Sequence, residues 1–327
     1  MRRLGRTATL AAAFILAAAP VAAQKAPPPD YPTKPIRMIV PFAPGGGTDI
    51  IGRLVAQELG QAWGQTVVVD NRGGGGGTIG ANLAARATPD GYTMVLCSLG
   101  ISYAPALYAK LPFDPVKDFA PISLVATQPF VYVVVPSLGV SSMKDLIALA
   151  KAKPGQLRYG SGGAGGSSHL GTELLRTMTG TDIVHVPYKG TGPALTAMLS
   201  GEIQMQLIGI SSVVPHMKSG RMRALAVSGA KRSTAAPDVP TVAESGVPGY
   251  VFDVWYGMLF PAGTPRALVA KSNAEINRVL KAPALAQRFA GVGVEPAGTT
   301  PEAFASMLKA EITKWKKVVA EANIRIE

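Results

Sequence analysis

Three stretches carry the residue types most able to do chemistry: "PFAPGGGTD" at 41–49, "DNRGGGGGTIG" at 70–80 and "YGSGGAGGSSHLG" at 159–171. Each sets glycines between an apolar, strand-like run and a helix-like segment. Glycine bares backbone N–H groups, and the helix that follows contributes the partial positive charge of its N-terminus. Turns of this kind attract anions. Phosphate fits poorly, because the nucleotide pattern requires Gly-Lys-Ser/Thr and Thr48 follows Gly47 with no lysine. A dinucleotide fingerprint fails as well: Gly45 and Gly47 give G-x-G, but position 50 is Ile. A single such turn is often no more than a tight connection. Two in one half of the chain and one in the other are harder to read that way.

Nucleophilic chemistry lacks its parts. Ser167 and Ser168 adjoin His169, but neighbours at a helix start point to different faces, and the G-x-S-x-G elbow is absent. Without paired carboxylates, or a base with its orienting partner, no enzyme is expected. Three histidines (His169, His185, His216) and the single Cys97 stand at no metal-ligand spacing, so neither metal nor other cofactor is expected. Cys97, inside "YTMVLCS", reads as a small buried hydrophobe.

The elements that position these turns alternate. "PIRMIVPF", "QTVVVDN" and "YTMVLCS" are short β-rich runs separated by helix-like segments, the pattern of a helix-covered parallel sheet. Ile50, Ile51, Leu54, Val55 and Leu59 form one helical stripe, with Thr48 or Asp49 available to cap it. The alternation restarts after position 136 and runs through "QLRYGS", "DIVHVPY", "IQMQLIGI" and "MRALAVS". Two closing helices are expected, opened by Thr264-Pro265 and Thr300-Pro301 as cap and first helical residue. On the last, Phe304, Leu308, Ile312, Trp315 and Val319 make the buried stripe.

Two longer apolar runs, about 119–136 and 250–262, read as strands crossing between domains. They divide the chain into a discontinuous first lobe, 24–126 plus 253–327, and a continuous second lobe, 127–252. Two crossings between α/β lobes make a hinge with a cleft, onto which strand ends and helix N-termini face. Residues 1–23, with Arg2, Arg3 and Arg6 ahead of "LAAAFILAAA" and "PVAA", read as a cleaved secretory signal peptide. Without those three arginines, the 32 Lys+Arg become 29 against 20 Asp+Glu, so the formal charge falls from +12 to +9. The charge is scattered, and no basic cluster with interleaved aromatics marks a nucleic-acid partner.

From "YPTKPIRMIVPFAPGGGTDIIGRLVAQEL" through "VVVDNRGGGGGTIGANLAARATPDGYT", "KPGQLRYGSGGAGGSSHLGTELL" and "HVPYKGTGPALTAMLSGEIQ" to "WYGMLFPAGTP", the chain resembles the substrate-binding proteins of tripartite tricarboxylate transporters, the Bug family. The likeness covers essentially the whole chain after the leader. It implies a two-lobed α/β periplasmic-binding-protein fold (type II-like) with two crossing hinge strands. It further implies a periplasmic receptor, expected as a monomer, that closes on a small carboxylate: a dicarboxylate, tricarboxylate, acidic amino acid or aromatic acid. With no cysteine immediately following the leader, no lipid anchor is expected. The implied partners are the large and small integral membrane subunits of the transporter. A receptor for a membrane sensor kinase is the alternative, with an exported enzyme behind it.

Carried over position by position, the resemblance places Phe42, Gly46, Gly47, Thr48 and Asp49 in the first-lobe site, with Ser98 at the end of the third strand. From the second lobe come Ser161, Gly165, Gly166, Ser167, Ser168, His169 and Tyr188, with Thr127 near the hinge. Asp49 would repel a carboxylate, so it reads as a capping or water-ordering residue. His169 reads either as a ligand contact or as packing on its own helix, and Trp255 as core. Two departures stand out: Gly73 and Gly75 replace the Pro and Ala common in relatives, and "LIGI" after "GEIQ" is apolar where they are polar. The second points to an aromatic or aliphatic acid rather than citrate.

Overall fold

Short apolar strands and amphipathic helices alternate along most of the chain. The computed structural model describes residues 30–321 and residue 324. The leader expected over 1–23 therefore lies outside the described residues. The first lobe opens with β1 (Ile36–Val40), α1 (Gly47–Trp63), β2 (Val67–Asn71), α2 (Thr78–Ala85), β3 (Thr93–Ser98) and α3 (Gly100–Leu107). The 16-residue β4 (Phe119–Val134) leads out of it. Then follow α4 (Met143–Ala152), β5 (Arg158–Ser161), α5 (Ser167–Thr179), β6 (Val184–Pro187), α6 (Thr191–Leu199), β7 (Met205–Gly209), α7 (Val214–Lys218) and β8 (Arg223–Val227). The chain returns through β9 (Asp253–Pro261) and ends with α8 (Arg266–Leu280), α9 (Pro283–Gly291), β10 (Glu295–Pro296) and α10 (Pro301–Glu321).

Strand order is β2-β1-β3-β9-β4-β7-β5-β6, with β8 and β10 also on β4. Each end of this path is parallel, β1 with β2 and β3, and β5 with β6 and β7. The middle is antiparallel. β4 pairs with β9 from Phe119 to Pro129 and with β7 from Phe130 to Val134. The exchange falls at Pro129, which has no N–H to give a ladder. One strand thus belongs to both lobes, and β9 runs back beside it.

The helices bury the faces their periodicity marks. Ile51, Val55 and Leu59 of α1 are buried, as are Phe304, Leu308, Ile312, Trp315 and Val319 of α10. Gly257 of β9 lets α10 approach, because a Cβ there would run into the Phe304 ring. Helix starts differ in detail from expectation. Thr300 does cap α10, accepting the Ala303 N–H at 3.2 Å. Thr264 instead bonds the Pro261 carbonyl at 2.8 Å, so Pro265 takes the cap position of α8. The cap of α1 is Gly46, with Thr48 and Asp49 inside the helix. Between the two expected closing helices stands a third, the nine-residue α9. Among the described residues no helix is long and apolar enough to cross a membrane.

Candidate functional site

The turns at the starts of α1 and α5 have one design. Gly46 and Gly166, the two caps, are extended at φ −88°, ψ 167° and φ −86°, ψ 166°. Their predecessors Gly45 and Gly165 are left-handed at φ 84° and 72°, where a side chain would be strained. Neither helix has a side chain capping its first turn from the cap position. The first residues of both helices, Gly47 and Thr48 of α1 and Ser167 and Ser168 of α5, line one space between the lobes.

That space is lined from the first lobe by Phe42, Gly47, Thr48 and Ser98, and from the second by Gly166, Ser167 and Ser168. Phe130 of β4, Gly162, Thr191 at the start of α6 and Tyr256 of β9 complete it. No ionisable acid or base, aside from the tyrosine hydroxyl, is on the wall. Burial raises the pKa of Tyr256, so its hydroxyl stays protonated as a donor. Ser168 Oγ is buried with no hydrogen-bond partner in the protein. A buried hydroxyl without a partner is costly unless a ligand completes it.

Of the residues expected from the sequence, the structure brings Phe42, Gly47, Thr48, Ser98, Gly166, Ser167 and Ser168 onto this one wall. Gly46 sits just behind it, where a Cβ would collide with Thr191 Oγ1. The rest lie elsewhere. Asp49 Oδ2 accepts the Gly45 N–H and Arg53 Nε, both at 3.0 Å, and its Oδ1 accepts Asn71 Nδ2 and pairs with Arg53 Nη2 at the same distance. Burial opposes the charge, but the hydrogen bonds from Arg53, the Gly45 N–H and Asn71 hold its carboxyl below the usual range. With four donors on two oxygens, Asp49 is saturated and fixes the turn rather than water.

His169 repeats that arrangement in the second lobe. Its Nδ1 accepts the Gly165 N–H at 3.0 Å, so Nδ1 carries no proton and Nε2 faces Glu173 at 3.8 Å. Its ring stacks on His185 at 4.1 Å, which stacks on Tyr159 at 4.9 Å. Burial lowers both histidine pKa values, that of His185 to about 3 with further help from His169 and Arg176. Ser161 Oγ is 2.6 Å from His185 Nε2 and 3.1 Å from the Gly163 carbonyl. His185 is thus a supporting residue that sequence reasoning missed. Gly165 contacts Tyr108, Tyr188 bonds Glu202 at 2.8 Å, and Thr127 pairs with Trp255 and Glu295 at the crossing. None of these reaches the cavity.

The lobes are closed on each other. The Ala43 N–H donates to the Lys189 carbonyl at 3.1 Å, and the Tyr103 hydroxyl donates to Ser167 Oγ at 3.1 Å. The Tyr108 hydroxyl stands 2.8 Å from the Ala164 carbonyl and 2.9 Å from that of Gly75. Closed this far, the cavity keeps about 20 Å³ of free space. That is room for about one water, so an organic ligand enters as the lobes part.

The apolar "LIGI" segment does not shape this wall: Ile208 and Ile210 are fully buried in a second-lobe core with Val131, Val133 and Val227. The missed lining residues had weak signals. Thr191 opens a fourth Gly-to-helix turn, "KGTG", while Phe130 and Tyr256 are strand residues whose facing depends on register. Among the described residues no group of three or more His, Cys, Asp or Glu is placed to hold a metal ion.

Residues 51–324 match the model of the tripartite tricarboxylate transporter family receptor. The protein BugT of Bordetella pertussis is 38% identical over 312 residues, spanning 95% of this chain and 94% of its own. An R. palustris protein solved with adipate is 37% identical at a TM-score of 0.87, covering 90% of this chain and 99% of that one. MatC from Rhodopseudomonas palustris, solved with bound malate, is 32% identical at a TM-score of 0.85, over 88% and 100% of the two chains. These similarities are to solute receptors rather than enzymes, and the two-lobed fold is theirs. By sequence match and by architecture, the chain belongs to the tripartite tricarboxylate transporter receptor family.

Proposed function

We propose that this receptor captures a small carboxylate in the periplasm, between lobes bounded at 24–126 plus 253–327 and 127–252, and hands it to the membrane subunits of a tripartite transporter. The observation that carries the reading is the convergence of two helix N-termini, α1 and α5, on one cavity beside the unpartnered Ser168 hydroxyl. Two partial positive poles with neutral hydroxyl donors suit a carboxylate, which accepts several hydrogen bonds at once. The absence of a lysine or arginine from the wall disfavours phosphate. The adipate and malate found with the two R. palustris relatives support the same ligand class.

The test is mass spectrometry of the small molecule carried by gently purified protein, followed by thermal melts with carboxylic acids and with ATP. A carboxylate should co-purify and raise the melting temperature with concentration, as mass action requires. A melt that responds to ATP and to no carboxylate overturns the reading.

A further inference from the structure

We propose that a second chamber, in the first lobe behind Phe42, receives the body of the ligand, and that this body is aliphatic or aromatic. The inference rests on the carboxylate-receptor reading and narrows its ligand. The chamber lies between Ala81 of α2, Cys97 at the end of β3, Ile101 and Ala104 of α3, and Phe113. It shares Phe42 and Ser98 with the cavity at the helix N-termini, so the two spaces meet at the Phe42 ring.

The chamber's side chains are mostly apolar and carry no full charge. No lysine, arginine or histidine lines it. Thr78 Oγ1 is engaged with the Gly75 carbonyl at 2.8 Å. Cys97 Sγ bonds the Gly257 carbonyl at 3.2 Å, and burial pushes its thiol up to about 12, so it stays neutral. Methylenes or a ring placed here would gain Ala81, Ile101, Ala104 and Phe113 as apolar neighbours.

Phe42 acts as the partition. Its ring rests on Gly77, where a Cβ would stand 3.0 Å from Cζ, and it is only half-buried. The chamber keeps about 20 Å³ of free space while the ring is in place. A body larger than a methyl group therefore enters as the lobes part and the ring swings aside. The head then sits at Gly166, Ser167 and Ser168 with the body directed into the first lobe.

Calorimetry with propionate, butyrate, pentanoate and hexanoate tests this. Affinity should climb about fourfold for each added methylene, the factor expected from burying a CH₂. A flat series overturns the chamber while leaving the receptor reading intact. Binding of none of these acids overturns the chamber, and the identity of the co-purified molecule decides the receptor reading separately. Ala104→Leu and Ala81→Leu fill the chamber from opposite walls. Each should flatten the series while propionate stays within about twofold, and unliganded melts report whether the variants fold. Hexanoate binding undiminished in a folded variant overturns the assignment, and if neither folds the wild-type series decides.

Discussion

Asp49 and His169 hold equivalent places in the two lobes, each accepting at 3.0 Å the backbone N–H of the glycine four residues before it. The same turn is thus locked by an anion on one side of the cleft and by a neutral ring on the other. Each lock holds a left-handed glycine and leaves the next helix N–H groups free for a ligand. The two locks respond differently to substitution and to acid.

Asp49→Asn puts an amide donor against the donors of Arg53 or the Gly45 N–H. The loss should be about 2 kcal/mol of stability, in the range for hydrogen bonds to charged groups. Urea unfolding at pH 7 measures it. Because the Asp49 pKa is depressed by folding, its contribution is full above the unfolded value near pH 4 and fades as pH falls below that. The stability difference between wild type and the variant should therefore shrink in acid, and a constant difference down to pH 2.5 would refute the lock.

The His169–His185 stack should make stability acid-sensitive in a higher range. Both pKa values are lowered by folding, so the unfolded chain binds protons first. Stability is full above about pH 6.5 and is lost progressively below it, for His185 down to about 3. Glu173, Arg176 and Asp182 stand beside the stack and modulate this fall. His185→Gln, which keeps a donor for Ser161, should flatten the melting temperature between pH 7 and 4. An unchanged slope would remove His185 from the account.

Ser168→Ala removes the one buried cavity hydroxyl that has no partner in the protein. The unliganded melt should stay within a degree or two, since no protein bond is lost. Carboxylate affinity should drop roughly tenfold or more, as for a charge-assisted hydrogen bond. Equal losses in stability and affinity would mark Ser168 as structural only.

Gly192→Ala separates closure from folding. Gly192 lies in the first turn of α6, where alanine is the better helix former, but its Cβ would strike the Pro44 carbonyl of the opposite lobe. The variant should fold at least as well as wild type, scatter X-rays as a more open particle and bind carboxylates more weakly. Wild-type affinity in Gly192→Ala would show that closure to this contact is not needed.

Much of this was legible in the residues themselves. Glycine before a helix start signals a bare N-terminus because it takes the left-handed step at Gly45 and Gly165 without strain and brings no capping side chain. The crossing strands were readable as apolar runs too long for one sheet, and β4 does exchange partners at Pro129. The stripe of α10 and the core position of Trp255 follow from periodicity and apolarity.

Other features depended on contacts between distant segments. Gly73 stands out in the sequence only as a departure from relatives, yet a Cβ there would stand 2.5 Å from the Lys189 carbonyl, a neighbour 116 positions along the chain. His185 carried no motif and gained its place only when β6 paired with β5 and stacked its ring on His169. Tyr256 and Phe130 entered the wall through strand register, and Ile208 left it for the same reason. The sequence by itself determined the local chemistry, two glycine-opened helix N-termini and the hinge strands, because those follow from backbone conformation. Only the tertiary structure decided which side chains share the cavity, because register and lobe closure bring together groups that no local pattern relates.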